Sequence, residues 1–180
     1  MTTANKITIA RVILIPVFLI LAYCGRTFWA LAVFVIASLS DMADGYIARH
    51  CDQITDFGKF MDPLADKVLV MAAMCLFVEQ GRMPGWALAI VLLREFAVSG
   101  MRLVAVEQGR VIAAAASGKI KTAATMICLC LMLLIGPPDP VQDSAPDIVA
   151  RLSTAVILIT TVYSGIEYFW KNRDVFRHAD

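Results

Sequence analysis

Six apolar segments, at residues 6–24, 28–48, 62–80, 85–106, 113–136 and 148–171, take up most of this chain. Each is close to the roughly 20 residues a helix needs to cross the hydrocarbon core of a bilayer. The gaps between them are short and turn-like: Gly25-Arg26, the stretch around Asp52–Gly58, Gly81-Arg82-Met83-Pro84, Gly109-Arg110, and Gly136-Pro137-Pro138-Asp139-Pro140. Backbone polar groups in lipid must be satisfied within the segment itself, which a helix achieves. The expected fold is therefore all-α: a polytopic integral membrane protein of six transmembrane helices in a single domain, 1–180, with no room for a second, soluble domain. Pro16 is expected to kink the first span, a defect that neighbouring helices can offset in a bilayer. The opening MTTANKITIARVILIPVFLILAYC has the outline of a signal peptide but no convincing small-residue cleavage site, so it reads as a retained span.

Composition agrees with this reading. The chain is 59% hydrophobic and 17% charged, against about 45–50% and about 25% in soluble domains. Its mean hydropathy is +0.73. Sixteen Lys and Arg face fifteen Asp and Glu, a net charge of +1. That balance excludes disorder, a basic nucleic-acid-binding tail and most soluble folds. The five cysteines, Cys24, Cys51, Cys75, Cys128 and Cys130, have neither zinc-site nor redox-motif spacing and read as small packing residues.

Positive residues near span ends set sidedness. With a cytoplasmic N-terminus, the inner side holds Lys6, Arg11, Arg49, Lys59, Lys67, Arg102, Arg110, Lys119, Lys121, Lys171, Arg173 and Arg177. The outer side holds only Arg26, Arg82 and Arg151, and its longest loop carries Asp139, Asp143 and Asp147. Twelve against three predicts both termini in the cytoplasm, as an even number of spans requires. Arg94 lies inside a span and belongs to neither side.

The chemistry lies in DMADGYIARHCDQITDFGKFMDPLADK, residues 41–67. Asp41 and Asp44 are three apart and share a helix face; Asp62 and Asp66, four apart, share a face of the next helix. The chain is expected to turn between them near Gly58. The alternative, that Asp41 and Asp44 sit in a cytoplasmic loop, leaves the second apolar run too short to cross. Antiparallel neighbours would bring both pairs to one cytoplasmic depth. Four carboxylates in one low-dielectric pocket repel, and several would ordinarily take up protons. Two divalent cations remove the conflict, and an all-oxygen donor set suits Mg²⁺ or Mn²⁺. Such a pair of metals is a recurring device for phosphoryl chemistry. Gly45, Ala48 and Gly58 leave room for a close-lying substrate or backbone, although Gly45 also suits simple helix packing. Arg49 can grip a phosphate oxygen or a carboxylate.

These residues match the pattern D-x2-D-G-x2-A-R-x8-G-x3-D-x3-D at every fixed position. The chain thereby resembles the CDP-alcohol phosphotransferase family. That resemblance implies six spans around a cytoplasm-facing polar cavity, usually in a homodimer. It implies cleavage of a CDP-linked donor, release of CMP and transfer of the remaining phosphoryl group to an alcohol. By position, Asp41, Asp44, Asp62 and Asp66 would hold two metals, and Asp66 would also act as base. Gly45, Ala48, Arg49 and Gly58 would line the CDP site.

A second set of residues bears on the acceptor. The stretch LLREFAVSGMRLVAVEQGRVIAAAASGKIKT, residues 92–122, contains Arg94, Glu95, Arg102, Lys119, Lys121 and Thr122. Arg94 lies mid-span, so its charge must be paired or hydrated. Glu95 is adjacent and points elsewhere on a helix, which makes it an imperfect partner. Cations beside a two-metal site suit a phosphorylated acceptor. The competing explanation for Lys119, Lys121 and Arg110 is positive-inside anchoring. REFAVSGMR (94–102), GKIKT (118–122) and the opening set Asn5, Thr8, Arg11 and Pro16 resemble segments of one bacterial subgroup of the family. Met101 stands where leucine is commoner. The subgroup implies CDP-diacylglycerol as donor, sn-glycerol 3-phosphate as acceptor, and residence in the bacterial cytoplasmic membrane. Other readings are an inositol-phosphate, serine or phosphatidylglycerol acceptor within the family, a divalent-cation transporter, or an aspartate-rich prenyltransferase. The outer halves FWALAVFVIASL and LVMAAMCLFV carry no acidic step before Glu79, which disfavours a transporter.

Overall fold

The computed structural model describes residues 3–50, 56–109, 115–136 and 145–173, with side chains over 10–40, 67–109, 115–136 and 147–173. Among the described residues there are six helices and no strand: α1 (Thr3–Tyr23), α2 (Thr27–His50), α3 (Asp56–Glu79), α4 (Gly85–Glu107), α5 (Ala116–Ile135) and α6 (Ala145–Lys171). Each apolar segment of the sequence falls on its own helix. Gly25, Gly81, Gly109 and Gly136 follow four of the helix ends with φ of 70–75°. That left-handed conformation costs glycine little and stops a helix. α1 runs on through Pro16.

One boundary departs from expectation. Gly58, expected near the turn, is the third residue of α3, and the connection that precedes α3 lies in residues 51–55, outside the described residues. Apolarity marks only the stretch of helix that lipid or core must cover. The hydrogen-bonded backbone carries on into polar sequence at the start of α3, as it does at the end of α2.

The chain divides into two compact units. The first contains α1, α2 and α3, with α1 packed against both others and α2 against α3. Ile15, Phe18 and Ala22 on α1, Ala30, Phe34 and Ala37 on α2, and Leu69, Ala73 and Phe77 on α3 are all buried. These residues recur every three or four positions, the stripe that one helix presents to another. The Phe18 and Phe34 rings lie 5.6 Å apart. The Tyr23 hydroxyl bonds the Glu79 carboxylate, joining the C-terminal ends of α1 and α3. These two helices therefore run the same way.

The second unit contains α4, α6 and most of α5. α4 packs on α6, and Val98, Met101 and Ala105 enclose Tyr168. Arg82, buried just before α4, donates from Nη2 to the Met132 carbonyl at 2.8 Å. Met132 is among the last four residues of α5, whose carbonyls lack partners in their own helix. Burial lowers the pKa of Arg82 from its ordinary value, while Asp147 works in the opposite sense.

Beside their apolar cores, both units bury polar side chains, among the described residues one in the first and several in the second, while leaving large apolar ones exposed. Arg11, Ser117, Lys121, Thr125, Ser153, Thr154, Thr161 and Ser164 are buried, whereas Leu93 and Phe96 on α4 are 72% and 71% exposed. A soluble protein hides large apolar residues of this kind. α5 and the Asp147–Lys171 stretch of α6 are long and apolar enough to cross a membrane, and α1 and α2 hold shorter apolar stretches, Ala10–Tyr23 and Thr27–Ser40. The pattern is consistent with a membrane protein. Cys24, just after α1, and Cys75 on α3 are exposed instead of packed, Cys128 is buried, and all four described cysteines are free thiols.

Candidate functional site

Asp41 and Asp44 lie on α2, and Asp62 and Asp66 on α3. Their backbones are described; their side chains, like those of Asn5, Thr8, Gly45, Ala48, Arg49 and Gly58, lie outside the described residues, as does Arg110 altogether. The backbone gives the distance of each aspartate from its helix end. Asp44 is six residues from His50 at the end of α2, and Asp62 is six residues from Asp56 at the start of α3. Asp41 and Asp66 lie nine and ten residues in. At about 1.5 Å per residue, the inner and outer members of the two pairs stand at distances from the adjoining helix ends that agree to within about 2 Å. α2 and α3 touch each other. Four carboxylates carried on touching helices would offer an all-oxygen donor set of four negative charges. That set fits two hard divalent cations and does not fit the sulfur- and nitrogen-preferring metals.

The second unit supplies a cluster with its side chains in view. Arg94 of α4 donates from Nη1 to Glu95 Oε1 at 3.0 Å, and Lys121 of α5 donates from Nζ to the same oxygen at 2.5 Å. The three side chains are 13%, 14% and 8% exposed for Arg94, Glu95 and Lys121. Glu95 thus corrects the expectation of an imperfect partner. Adjacent helical positions diverge by about 100°, but two long side chains can close that angle, and Lys121 from the neighbouring helix binds the same oxygen. Arg94 Nε is buried with no hydrogen-bond partner among the described residues. The Arg94 stem crosses α6 at Gly165, where a Cβ would stand 3.2 Å from Arg94 Cγ. At Gly118 on α5 a Cβ would be 3.9 Å from Arg94 Nη2.

Arg102, two turns further along α4, donates from Nε to the Tyr168 hydroxyl at 3.3 Å, and its guanidinium carbon lies 5.8 Å from the Tyr168 ring centre. Tyr168 is buried, so it offers a fixed platform with a hydrogen-bond acceptor at its rim. Lys119 is exposed and stands apart from the Arg94–Glu95–Lys121 cluster, since two residues along a helix is about half a turn. Thr122 gives its hydroxyl to the Gly118 carbonyl at 3.1 Å. Arg11, on α1 in the first unit, is 1% exposed.

The sequence therefore pointed to Arg94, Arg102 and Lys121 but missed Glu95 as a bridge, Tyr168 as the platform of Arg102, and Gly165 as the floor beneath Arg94. Tyr168 and Gly165 sit in an ordinary apolar helix, and no local spacing sets them apart. A charged residue beside a mid-span arginine was the one available signal for Glu95.

A model of the CDP-alcohol phosphatidyltransferase family matches residues 1–166. The chain is similar to the CDP-diacylglycerol–glycerol-3-phosphate 3-phosphatidyltransferase of Bacillus subtilis, with 42% identity over 98% of this chain and 97% of that protein. Proteins of the same name from Sodalis glossinidius and Rickettsia typhi are 36% and 33% identical, covering 96% and 92% of this chain and 96% and 93% of their own length. With the helix-borne aspartate pairs, the partly buried cationic cluster and a family match over nearly the whole length, the chain belongs to the CDP-alcohol phosphatidyltransferase family of enzymes.

Proposed function

We propose that this chain is a phosphatidylglycerophosphate synthase, moving the phosphatidyl group of CDP-diacylglycerol onto sn-glycerol 3-phosphate and releasing CMP. The observation that carries the choice of acceptor is the Arg94–Glu95–Lys121 cluster. Lys121 is buried and Arg94 partly buried, the two cations share one carboxylate oxygen, and Arg94 Nε is a buried donor with no partner among the described residues. A neutral alcohol has no use for such a cluster, whereas a phosphate monoester matches it. The names of the Bacillus, Sodalis and Rickettsia relatives support the same donor and acceptor.

The full reading is a single six-span domain in the bacterial cytoplasmic membrane, functioning as a homodimer, with both termini and a polar cavity facing the cytoplasm. Asp41, Asp44, Asp62 and Asp66 hold two divalent cations, Mg²⁺ or Mn²⁺, which supply positive charge to the pyrophosphate oxygens of the donor. Gly45, Ala48 and Gly58 leave space for the CDP group, and Arg49 binds one of its oxygens. Arg94, Arg102 and Lys121 bind the acceptor phosphate, with Lys119, Asn5, Thr8, Arg11 and Thr122 as further polar contacts. Asp66 accepts the proton of the acceptor's 1-hydroxyl. The hydroxyl oxygen bonds to the phosphorus that bears diacylglycerol, the bond from that phosphorus to the CMP oxygen breaks, and CMP leaves with the electron pair.

The test is acceptor competition in detergent. Labelled glycerol 3-phosphate, inositol phosphate, serine and phosphatidylglycerol are offered with CDP-diacylglycerol. Label is expected in lipid from glycerol 3-phosphate, with one CMP released per lipid formed. Preferential labelling from another acceptor overturns the assignment.

A further inference from the structure

We infer that Glu95 is a positioning residue for the acceptor, its carboxylate gathering Arg94 and Lys121 into one phosphate-binding fork; this rests on the acceptor role proposed for those two cations. The geometry is unusual in its economy. One oxygen, Glu95 Oε1, takes Nη1 of Arg94 at 3.0 Å and Nζ of Lys121 at 2.5 Å, so side chains from α4 and α5 converge on a single atom. Without that oxygen, two largely buried like charges would repel and separate, because repulsion is weakly screened where water is scarce.

The arrangement leaves binding capacity free. A guanidinium has five N–H donors in a planar fork, and an ammonium has three. Arg94 Nε is buried with no partner among the described residues. An incoming phosphate oxygen can therefore join the two cations without first displacing Glu95. The charge arithmetic favours the same role. Arg94 and Lys121 with Glu95 carry one net positive charge, enough to attract a phosphate yet modest enough to bury before it arrives.

Stability alone does not explain the trio. Replacing a buried ion cluster by well-packed apolar residues is often neutral or stabilising. Charges buried among apolar helices are costly and mark sites of function. Arg94 is also held from a third side, where Gly165 of α6 leaves just enough room for its stem.

The test titrates glycerol 3-phosphate and CDP-diacylglycerol separately against Glu95→Gln, Glu95→Asp, Lys121→Gln and the double variant Glu95→Gln/Lys121→Gln. In Glu95→Gln the acceptor KM is expected to rise about tenfold or more, as when one partner of a buried charge pair is removed. Its kcat and donor KM are expected to stay within about twofold. Glu95→Asp restores part of the acceptor KM. Because Glu95 acts through the cations, the double variant is expected to be no worse than Lys121→Gln alone. An acceptor KM unchanged in Glu95→Gln, or effects of the two substitutions that multiply, overturns the inference. Should Glu95→Gln fail to fold, the double variant returns the trio to its original net charge, and its comparison with Lys121→Gln decides the matter. If Arg94→Gln and Lys121→Gln leave acceptor KM unchanged, the acceptor reading fails and this inference with it; if they raise it while Glu95→Gln does not, only this inference fails.

Discussion

The acidic stretch of α2 and α3 and the cationic cluster of α4, α5 and α6 are built on opposite principles. The acidic stretch consists of like charges repeated along two helices at intervals of three and four residues. On the reading proposed above, bound divalent cations supply its balance. In the cationic cluster, a carboxylate from the protein itself offsets part of the charge, and that carboxylate sits on a different helix from one of its partners. A region that depends on a ligand for charge balance is written in local spacing. A region that balances itself is written in tertiary contacts.

The contrast breaks most visibly on metal removal. Chelation of divalent cations is expected to lower phosphatidyl transfer by at least about 10³-fold, because the metals stabilise the reacting phosphate charge, and Mg²⁺ or Mn²⁺ should restore it. Activity that survives exhaustive chelation would remove the basis for reading α2 and α3 as a metal-binding pair. Next come Arg94→Gln and Lys121→Gln. Each is expected to raise acceptor KM roughly 100-fold with donor KM nearly unchanged, a split read from separate substrate titrations. A smaller effect sharpens the account of the second unit. Gly165→Ala pushes a methyl to 3.2 Å from Arg94 Cγ, while Gly118→Ala makes an ordinary 3.9 Å contact with Nη2. A displacement of a few tenths of an ångström should raise acceptor KM about threefold for Gly165→Ala and leave Gly118→Ala near the parent value. Arg82→Leu removes the group that caps α5 at Met132. It is expected to cost about 1–3 kcal/mol of stability, seen as a lower thermal midpoint in detergent with kcat unchanged.

Much of this was legible in the residues. All six helices were marked by apolar length, and four of their ends by glycines that adopt positive φ. The continuation of α2 through Asp41 and Asp44 to His50 followed from the length needed to cross a bilayer. What failed was Gly58, read as a turn because glycine usually punctuates structure, yet placed within α3, where its cost is only about 1 kcal/mol. Glu95 failed for a related reason. Its role depends on Lys121, twenty-six positions away, and the spacing rules of one helix hold nothing about a neighbour. Lys119 and Lys121 look alike in sequence, but only Lys121 turns into the cluster.

The central claim is that paired carboxylates on α2 and α3 drive the transfer, with Asp66 as the base. The most direct measurement is single-turnover transfer of labelled glycerol 3-phosphate by Asp66→Asn in detergent, with both substrates and Mg²⁺ saturating. The account predicts a folded protein that forms labelled lipid at least about 10³-fold more slowly than the parent, as expected when a proton acceptor and a metal ligand are lost together. Transfer by Asp66→Asn at the parent rate would contradict it.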